Sequence, residues 1–307
     1  MNSSSFGQSS LGKLTSLSFV SDVARRHNIG FKRQLGQHLL VDRNILLKIL
    51  AALEPGPDEL VFEIGPGFGV LTRALAERAG HVVAVEIDAR MVAVLEETLR
   101  ECTNITLVHG DALDFDFGSW SSSTEFRGFR ALKVAGNLPY CITTPLLFKI
   151  LEGSPGFEAG VFLVQKEVAG RMAAGPGTKE YGALSVALQY RSVPKVLGYV
   201  SRTAFFPRPE VDSAIVRLSF KERELSLREE ELLAKVVRAS FNQRRKMLRG
   251  ALAGSPELAA LGLRRETVEK VLADMGVSGT RRGETLSLHE FMTLARALSK
   301  EAGDKLP

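Results

Sequence analysis

The feature that most constrains this chain is an alternation, sustained from Leu60 to Phe220, of short apolar runs with segments whose apolar residues recur at helical spacing. Leu60–Ile64, His81–Ile87, Ile105–Val108, Ala131–Ala135 and Gly160–Gln165 read as strands, and Val70–Ala79, Met91–Arg100, Pro145–Leu151 and Gly182–Tyr190 as helices. Val196–Val200 and Ser213–Phe220 read as a closing antiparallel pair, because turn formers and no long helix separate them. Strands that trade places with helices in this way predict an α/β domain, a mainly parallel sheet covered on both faces. A helix over Asn44–Leu53, stopped by Pro55-Gly56-Pro57, precedes it. Beyond Phe220 only helices are expected, over Leu227–Arg238, Arg244–Ala253, Arg265–Met275 and Leu288–Ser299, with the charged Lys221–Glu231 segment as boundary. The chain therefore divides into an arm (1–30), an α/β domain (31–222) and a smaller all-α carboxyl-terminal domain (223–307).

Composition narrows the class. With 307 residues, 45% hydrophobic and 24% charged, the chain can bury a core, which excludes a disordered, collagenous or disulfide-stapled protein. The net charge of +5 permits a polyanionic partner. Two cysteines, Cys102 and Cys141, suit a reducing compartment, and no window approaches 18 uninterrupted apolar residues, so the expectation is a soluble cytoplasmic protein without a membrane partner. Residues 1–19 are serine-rich and contain no arginine, which fits a flexible arm better than an import signal.

Chemistry concentrates at the ends of the strands. Gly65-Pro66-Gly67-Phe68-Gly69 joins the first strand to its helix, and glycines there let backbone pass close to a ligand at a helix amino terminus. The spacing is G-x-G-x-G; the dinucleotide fingerprint G-x-G-x-x-G is not met, because Val70 stands three residues after Gly67. Glu86 ends the second strand, 21 residues beyond Gly65, where a carboxylate can accept both hydrogen bonds of a ribose diol. Asp111 ends the third, placed to take the exocyclic amine of an adenine. Together these describe an adenosine pocket. No G-x-x-x-x-G-K-[ST] loop is present to bind phosphates, so S-adenosylmethionine is the adenosine compound that fits.

After the fourth strand comes Asn137-Leu138-Pro139-Tyr140. The lone pair of an adenine amine is delocalised into the ring, so methylating it requires help. The Asn137 side-chain oxygen and the Leu138 carbonyl can accept its two N–H groups and aim the nitrogen at a methylsulfonium. Tyr140 offers a face on which an extruded base can stack. A strong general base is unnecessary, because the methylated amine loses its proton readily to water.

These motifs resemble those of the bacterial small-subunit ribosomal RNA adenine N6,N6-dimethyltransferase family. The likeness runs from about Phe31 to the carboxyl terminus. It includes Leu35-Gly36-Gln37-His38-Leu39-Leu40, Glu63-Ile64-Gly65-Pro66-Gly67, Gly136-Asn137-Leu138-Pro139-Tyr140, Gln165-Lys166-Glu167-Val168, Tyr181-Gly182-Ala183-Leu184-Ser185 and Phe241-Asn242-Gln243-Arg244-Arg245-Lys246. The resemblance implies a Rossmann-like S-adenosylmethionine-dependent methyltransferase fold that acts on two adjacent adenines of the hairpin near the 3′ end of small-subunit rRNA, within an immature subunit; nothing in the sequence calls for more than a monomer. It also implies that His38, Leu40, Gly65, Gly67, Glu86, Asp111 and Asn137 hold the methyl donor and that Phe205 gives the target base a second aromatic face opposite Tyr140; no metal site is expected. His38 departs from the family pattern, which has asparagine there. Arg238, Arg244, Arg245, Lys246 and Arg249 form an acid-free cationic run, and Arg244, Arg245, Lys246 and Arg249 are the expected RNA contacts. A large-subunit adenine methyltransferase, a DNA adenine methyltransferase, a ribosome-assembly binder and a nicotinamide oxidoreductase are the competing readings.

Overall fold

The structure, a computed structural model, describes residues 15–31, 36–152 and 156–303. The described residues form two compact units: those up to Ala169 with Val193–Phe220, and Gly170–Ser192 with those from Lys221 onward.

The first unit is built on a sheet. Its strands are β2 (Glu59–Ile64), β3 (His81–Glu86), β4 (Ile105–His109), β5 (Ala131–Asn137), β6 (Phe157–Gln165), β7 (Ser192–Val200) and β9 (Ser213–Phe220). They lie in the order β4-β3-β2-β5-β6-β9-β7, with β4 through β6 parallel and β9 antiparallel to β6. Every residue of β2 is buried, as a strand covered on both faces requires. From β2 the chain moves outward to β3 and then returns to β5 on the other side. That reversal opens a crevice beyond the carboxyl ends of these strands, where open α/β sheets bind ligands.

Helices α2 (Arg43–Leu53), α3 (Val70–Ala76) and α4 (Ala89–Thr98) follow the expected pattern within a few residues. Asp42 caps α2 by accepting from the Asn44 and Ile45 amides, and Ile45, Leu46, Ile49, Leu50 and Leu53 bury its inner face. Helices α5 (Phe117–Ser121) and α6 (Thr143–Glu152) follow β4 and β5.

Part of the arm departs from expectation. Leu17–Arg26 is not a flexible tail but a helix, α1, with Ser16 as its N-cap and Val20 and Val23 fully buried against Phe68, Met91, Val94 and Leu39. Arg26 and His27 pair with Glu97 of α4. Residues 1–14 lie outside the described part. The short strand β1 (Leu39–Leu40) then pairs antiparallel with β8 (Phe205–Phe206), which ties the arm to the unit.

The second unit is helical: α8 (Ala183–Arg191), α9 (Leu227–Asn242), α10 (Leu248–Ala253), α11 (Pro256–Ala260), α12 (Arg265–Asp274) and α13 (Leu288–Ala302). Helix α7 (Lys166–Ala173) carries the chain into it. Gly170–Ser192, expected within the α/β domain, fall in this unit. Tyr181, Val186 and Tyr190 belong instead to the core of α9, α12 and α13. The Tyr190 hydroxyl donates to Glu230 at 2.6 Å and accepts from the Leu225 amide, fixing α8 to the start of α9.

Candidate active site

Backbone geometry shapes the crevice first. Gly67 has φ +59°, in the left-handed region, and a Cβ there would lie 2.6 Å from Leu39 Cδ2. Only glycine lets the loop after β2 turn while β1 passes over it. Gly36 does the same for the arm, since at φ +61° its missing Cβ would meet the Tyr140 amide nitrogen at 3.1 Å. The Gln37 amide donates to Asp88 at 3.0 Å, and Arg90 holds the Asp88 carboxyl well below the usual carboxylate range. The arm, the glycine loop and the turn after β5 therefore close on one cavity.

That cavity brings together seven expected donor-binding positions: His38, Leu40, Gly65, Gly67, Glu86, Asp111 and Asn137 all line it. Glu86, at the end of β3, is 7% exposed and its Oε1 accepts from the Asp88 amide at 2.9 Å; burial raises its carboxyl above the ordinary value. Asp111 Oδ1 accepts from the Leu113 amide at 2.9 Å, which fixes the turn after β4.

Asn137 Nδ2 donates to the His38 carbonyl at 2.6 Å, so the amide is oriented with its oxygen as the acceptor end available to a ligand. His38 Nδ1 lies 2.7 Å from the Pro207 carbonyl, and its ring packs against Tyr140 with centroids 5.4 Å apart. The Tyr140 hydroxyl is hydrogen-bonded to Ser213 Oγ at 2.5 Å. Leu138 buries its side chain and donates its amide to the Leu163 carbonyl, so the turn is anchored to β6.

Phe205 is not at the site. Its ring is 1% exposed and lies in the core with Leu40, Ile45, Val200, Ala204 and Ile215. Strand alternation explains the difference: β8 turns Phe205 inward beside Leu40 and leaves Phe206 half-buried beside Leu39. The ring has no free face for a base.

Sequence reasoning missed Glu63. This side chain is 1% exposed, lines the cavity, and its Oε2 has no hydrogen-bond partner among the described residues. Burial pushes its carboxyl up to about 8, Thr72 opposing and Glu86 adding to the rise. The visible signal was an acid inside an otherwise apolar strand, Leu60-Val61-Phe62-Glu63-Ile64.

Charge selects the ligand. The described lining holds three acids, Glu63, Glu86 and Asp111, and no lysine or arginine. A nucleotide bearing phosphates would meet repulsion without a compensating cation, whereas a phosphate-free adenosine carrying a sulfonium and an ammonium meets attraction. The residues present fit S-adenosylmethionine.

The sequence and structural likenesses agree with this geometry. A match to the ribosomal RNA adenine dimethylase family spans residues 28–294. The chain belongs to this family. It is 45% identical over 289 residues to the ribosomal RNA small subunit methyltransferase A of Pelotomaculum thermopropionicum, covering 92% of this chain and 97% of the relative. It is 43% identical to the protein of the same name from Bacillus mycoides, over 91% of this chain and 95% of that one. Among solved structures it is similar to a dimethyladenosine transferase from Plasmodium falciparum, with a TM-score of 0.71 and 28% identity over 83% of this chain and 95% of that one. It is also similar to the 23S rRNA methyltransferase ErmE, with a TM-score of 0.63 and 29% identity over 85% and 99% of the two chains. The fold is that of the S-adenosylmethionine-dependent methyltransferases, and the dimethylase-family chain is an enzyme of that kind.

The expected RNA contacts sort into two groups. The helix expected over Arg244–Ala253 begins only at Leu248, so Arg244–Lys246 occupy a turn, which together with Phe241, Asn242 and Gln243 lines a second cavity. Arg244 is committed internally: it pairs with Glu284 at 3.2 Å and donates to the Lys179 and Tyr181 carbonyls, each at 3.0 Å. Arg249 is half-buried, its side chain packed against Gly279. Arg245 and Lys246 are exposed. Arg238, counted in the same cationic run, pairs with Glu257.

Proposed function

We propose that this dimethylase-family protein methylates N6 of two adjacent adenines in the 3′-terminal hairpin of small-subunit rRNA, twice each, acting as a cytoplasmic monomer on an immature subunit and contributing to subunit biogenesis. Among the described residues, no helix is long and apolar enough to cross a membrane. The observation that carries the chemistry is the convergence of four strand ends on a cavity whose described lining has three acids and no lysine or arginine, and which includes an asparagine whose amide nitrogen is already engaged. The 43–45% identity to small-subunit enzymes, against 29% to a 23S rRNA enzyme, supports the choice of RNA.

Glu86 would hold the ribose diol, Asp111 the adenine amine, and the backbone of Gly65 and Gly67 the remainder of the donor. Bound S-adenosylmethionine supplies an electrophilic methyl carbon. Asn137 Oδ1 and the Leu138 carbonyl accept the two N6 hydrogens, which keeps the nitrogen lone pair out of conjugation and directed at that carbon. Tyr140, held by Ser213 and His38, stacks on the extruded base.

Mass spectrometry of rRNA from unmethylated small subunits, incubated with protein and labelled donor, tests the reading. Two dimethyladenines in the 3′-terminal hairpin are expected, and Asn137→Ala lowers the rate by about 10²–10³. Methylation elsewhere, or none, refutes it.

A further inference from the structure

Strand β7 stands at the edge of the sheet, and its outward face is unusual. Val193, Leu197 and Tyr199 are 56%, 41% and 66% exposed at two- and four-residue spacings, with the exposed Lys195 between them. Edge protection accounts for Lys195 and Pro194, which block strand addition. It does not account for three large apolar groups left in water on the same face.

Two further observations give this face a ligand class. From Ser192 to Arg208 the chain carries Lys195, Arg202 and Arg208 and no acid, and the Lys166 ammonium lies 4.9 Å from the centre of the Tyr199 ring. Cations interleaved with an exposed aromatic are the chemistry of single-stranded nucleic acid, in which bases stack on rings and phosphates meet ammonium groups. Hydrogen bonds also tie the residues of this face to the base site. The Lys166 amide donates to the Asp212 carbonyl at 3.0 Å, and Asp212 Oδ1 accepts from the Arg202 amide at 3.0 Å. The next residue, Ser213, is bonded to the Tyr140 hydroxyl. Tyr199, beside Lys166, is thus linked through Asp212 and Ser213 to the residue offered as the stacking face for the target base.

We infer that Tyr199, with Lys166 and Arg202, is a docking platform for the single-stranded rRNA flanking the target adenine: Tyr199 stacks on a neighbouring base, and Lys166 and Arg202 meet its phosphates. The inference rests on the rRNA reading above, and the test separates the two.

Binding of the full chain to unmethylated small subunits, and to protein-free rRNA extracted from them, is measured at several salt concentrations, alongside binding of S-adenosylhomocysteine. Tyr199→Ala weakens binding to both RNAs about tenfold, Tyr199→Phe restores it, and Lys166→Ala lowers the salt slope by about 1. Donor-product affinity and the melting temperature stay at the wild-type values in all three, since both side chains are exposed. Wild-type affinity in Tyr199→Ala overturns the platform. Weakening on intact subunits alone also overturns it, assigning the face to a ribosomal protein. A wild-type chain that binds neither RNA brings down the underlying reading as well.

Discussion

Glu63→Gln tests the electrostatics of the site directly. The carboxyl is wholly buried beneath the glycine loop and titrates at about 8 against an ordinary 4.5, with burial as the main cause and Glu86 as the nearest like charge. A carboxyl whose folded-state pKa is raised contributes its full stability only below its unfolded pKa. As pH climbs past 4.5 the unfolded chain ionises while the folded chain must keep its proton, so stability falls until the folded group also ionises, near 8. At 1.36 kcal/mol per pH unit, the whole window costs the wild type about 5 kcal/mol, of which about 3 kcal/mol is lost between pH 6 and 9. Glutamine preserves the shape and has no proton to lose. Denaturant unfolding of both proteins at pH 6 and pH 9, without methyl donor, reads the difference. Trp120, the single tryptophan in the chain, lies in the α/β unit and stacks on Phe126, so its fluorescence reports the unit that contains Glu63. The variant should gain about 3 kcal/mol on the wild type between the two pH values. Parallel pH dependence in the two proteins would refute the assignment of a neutral, buried Glu63.

Two other perturbations separate scaffold from function. Lys133, 5% exposed, donates to the Glu54 carbonyl at 2.7 Å and pairs with the 3%-exposed Glu59 at 2.8 Å. Lys133→Met leaves that carboxylate short of its buried partner and should lower stability by about 3–5 kcal/mol in denaturant melts, with Glu59→Gln in the same chain recovering part of the loss. Arg244→Ala should destabilise the helical unit by about 1–3 kcal/mol, because it removes an ion pair and two carbonyl contacts. Arg245→Ala and Lys246→Ala should instead leave the melt within about 0.5 kcal/mol and reduce the salt dependence of rRNA binding by about 1 each.

Where the chain could be read from its sequence, a single physical rule acted alone. Parallel strands covered on both faces must be apolar runs, so the five strands from β2 to β6 were legible, and their ends placed Gly65, Glu86, Asp111 and Asn137 on one edge. Failures came where two rules competed. At Phe205 a motif match pointed to the site, but the period-two alternation of β8 turned that ring into the core. Helix α8 has the same local pattern as the helices flanking the sheet, and nothing in its spacing shows that Tyr190 would find Glu230 forty residues later. In the arm, Val20 and Val23 are three residues apart, but so brief a pattern in a polar, serine-rich context cannot reveal the hydrophobic patch of Phe68 and Met91 that makes it a helix.

Glu63 links the two kinds of residue. An acid in the middle of a buried strand is unfavourable on every local criterion, being a poor strand former and expensive to desolvate. It persists at a position where the side chain, its Oε2 buried without a partner, lines a cavity that also holds Glu86 and Asp111 and, among the described lining residues, no lysine or arginine. A group that destabilises the empty fold at neutral pH and lines this cavity would recover part of that cost when a cationic ligand arrives and favours its ionised form. The same arrangement disfavours phosphate-bearing adenosines, because the described lining offers no lysine or arginine to offset each added negative charge. Strand ends that carry carboxylates and no lysine or arginine therefore suit a cationic methyl donor better than the nucleotides that share its adenosine.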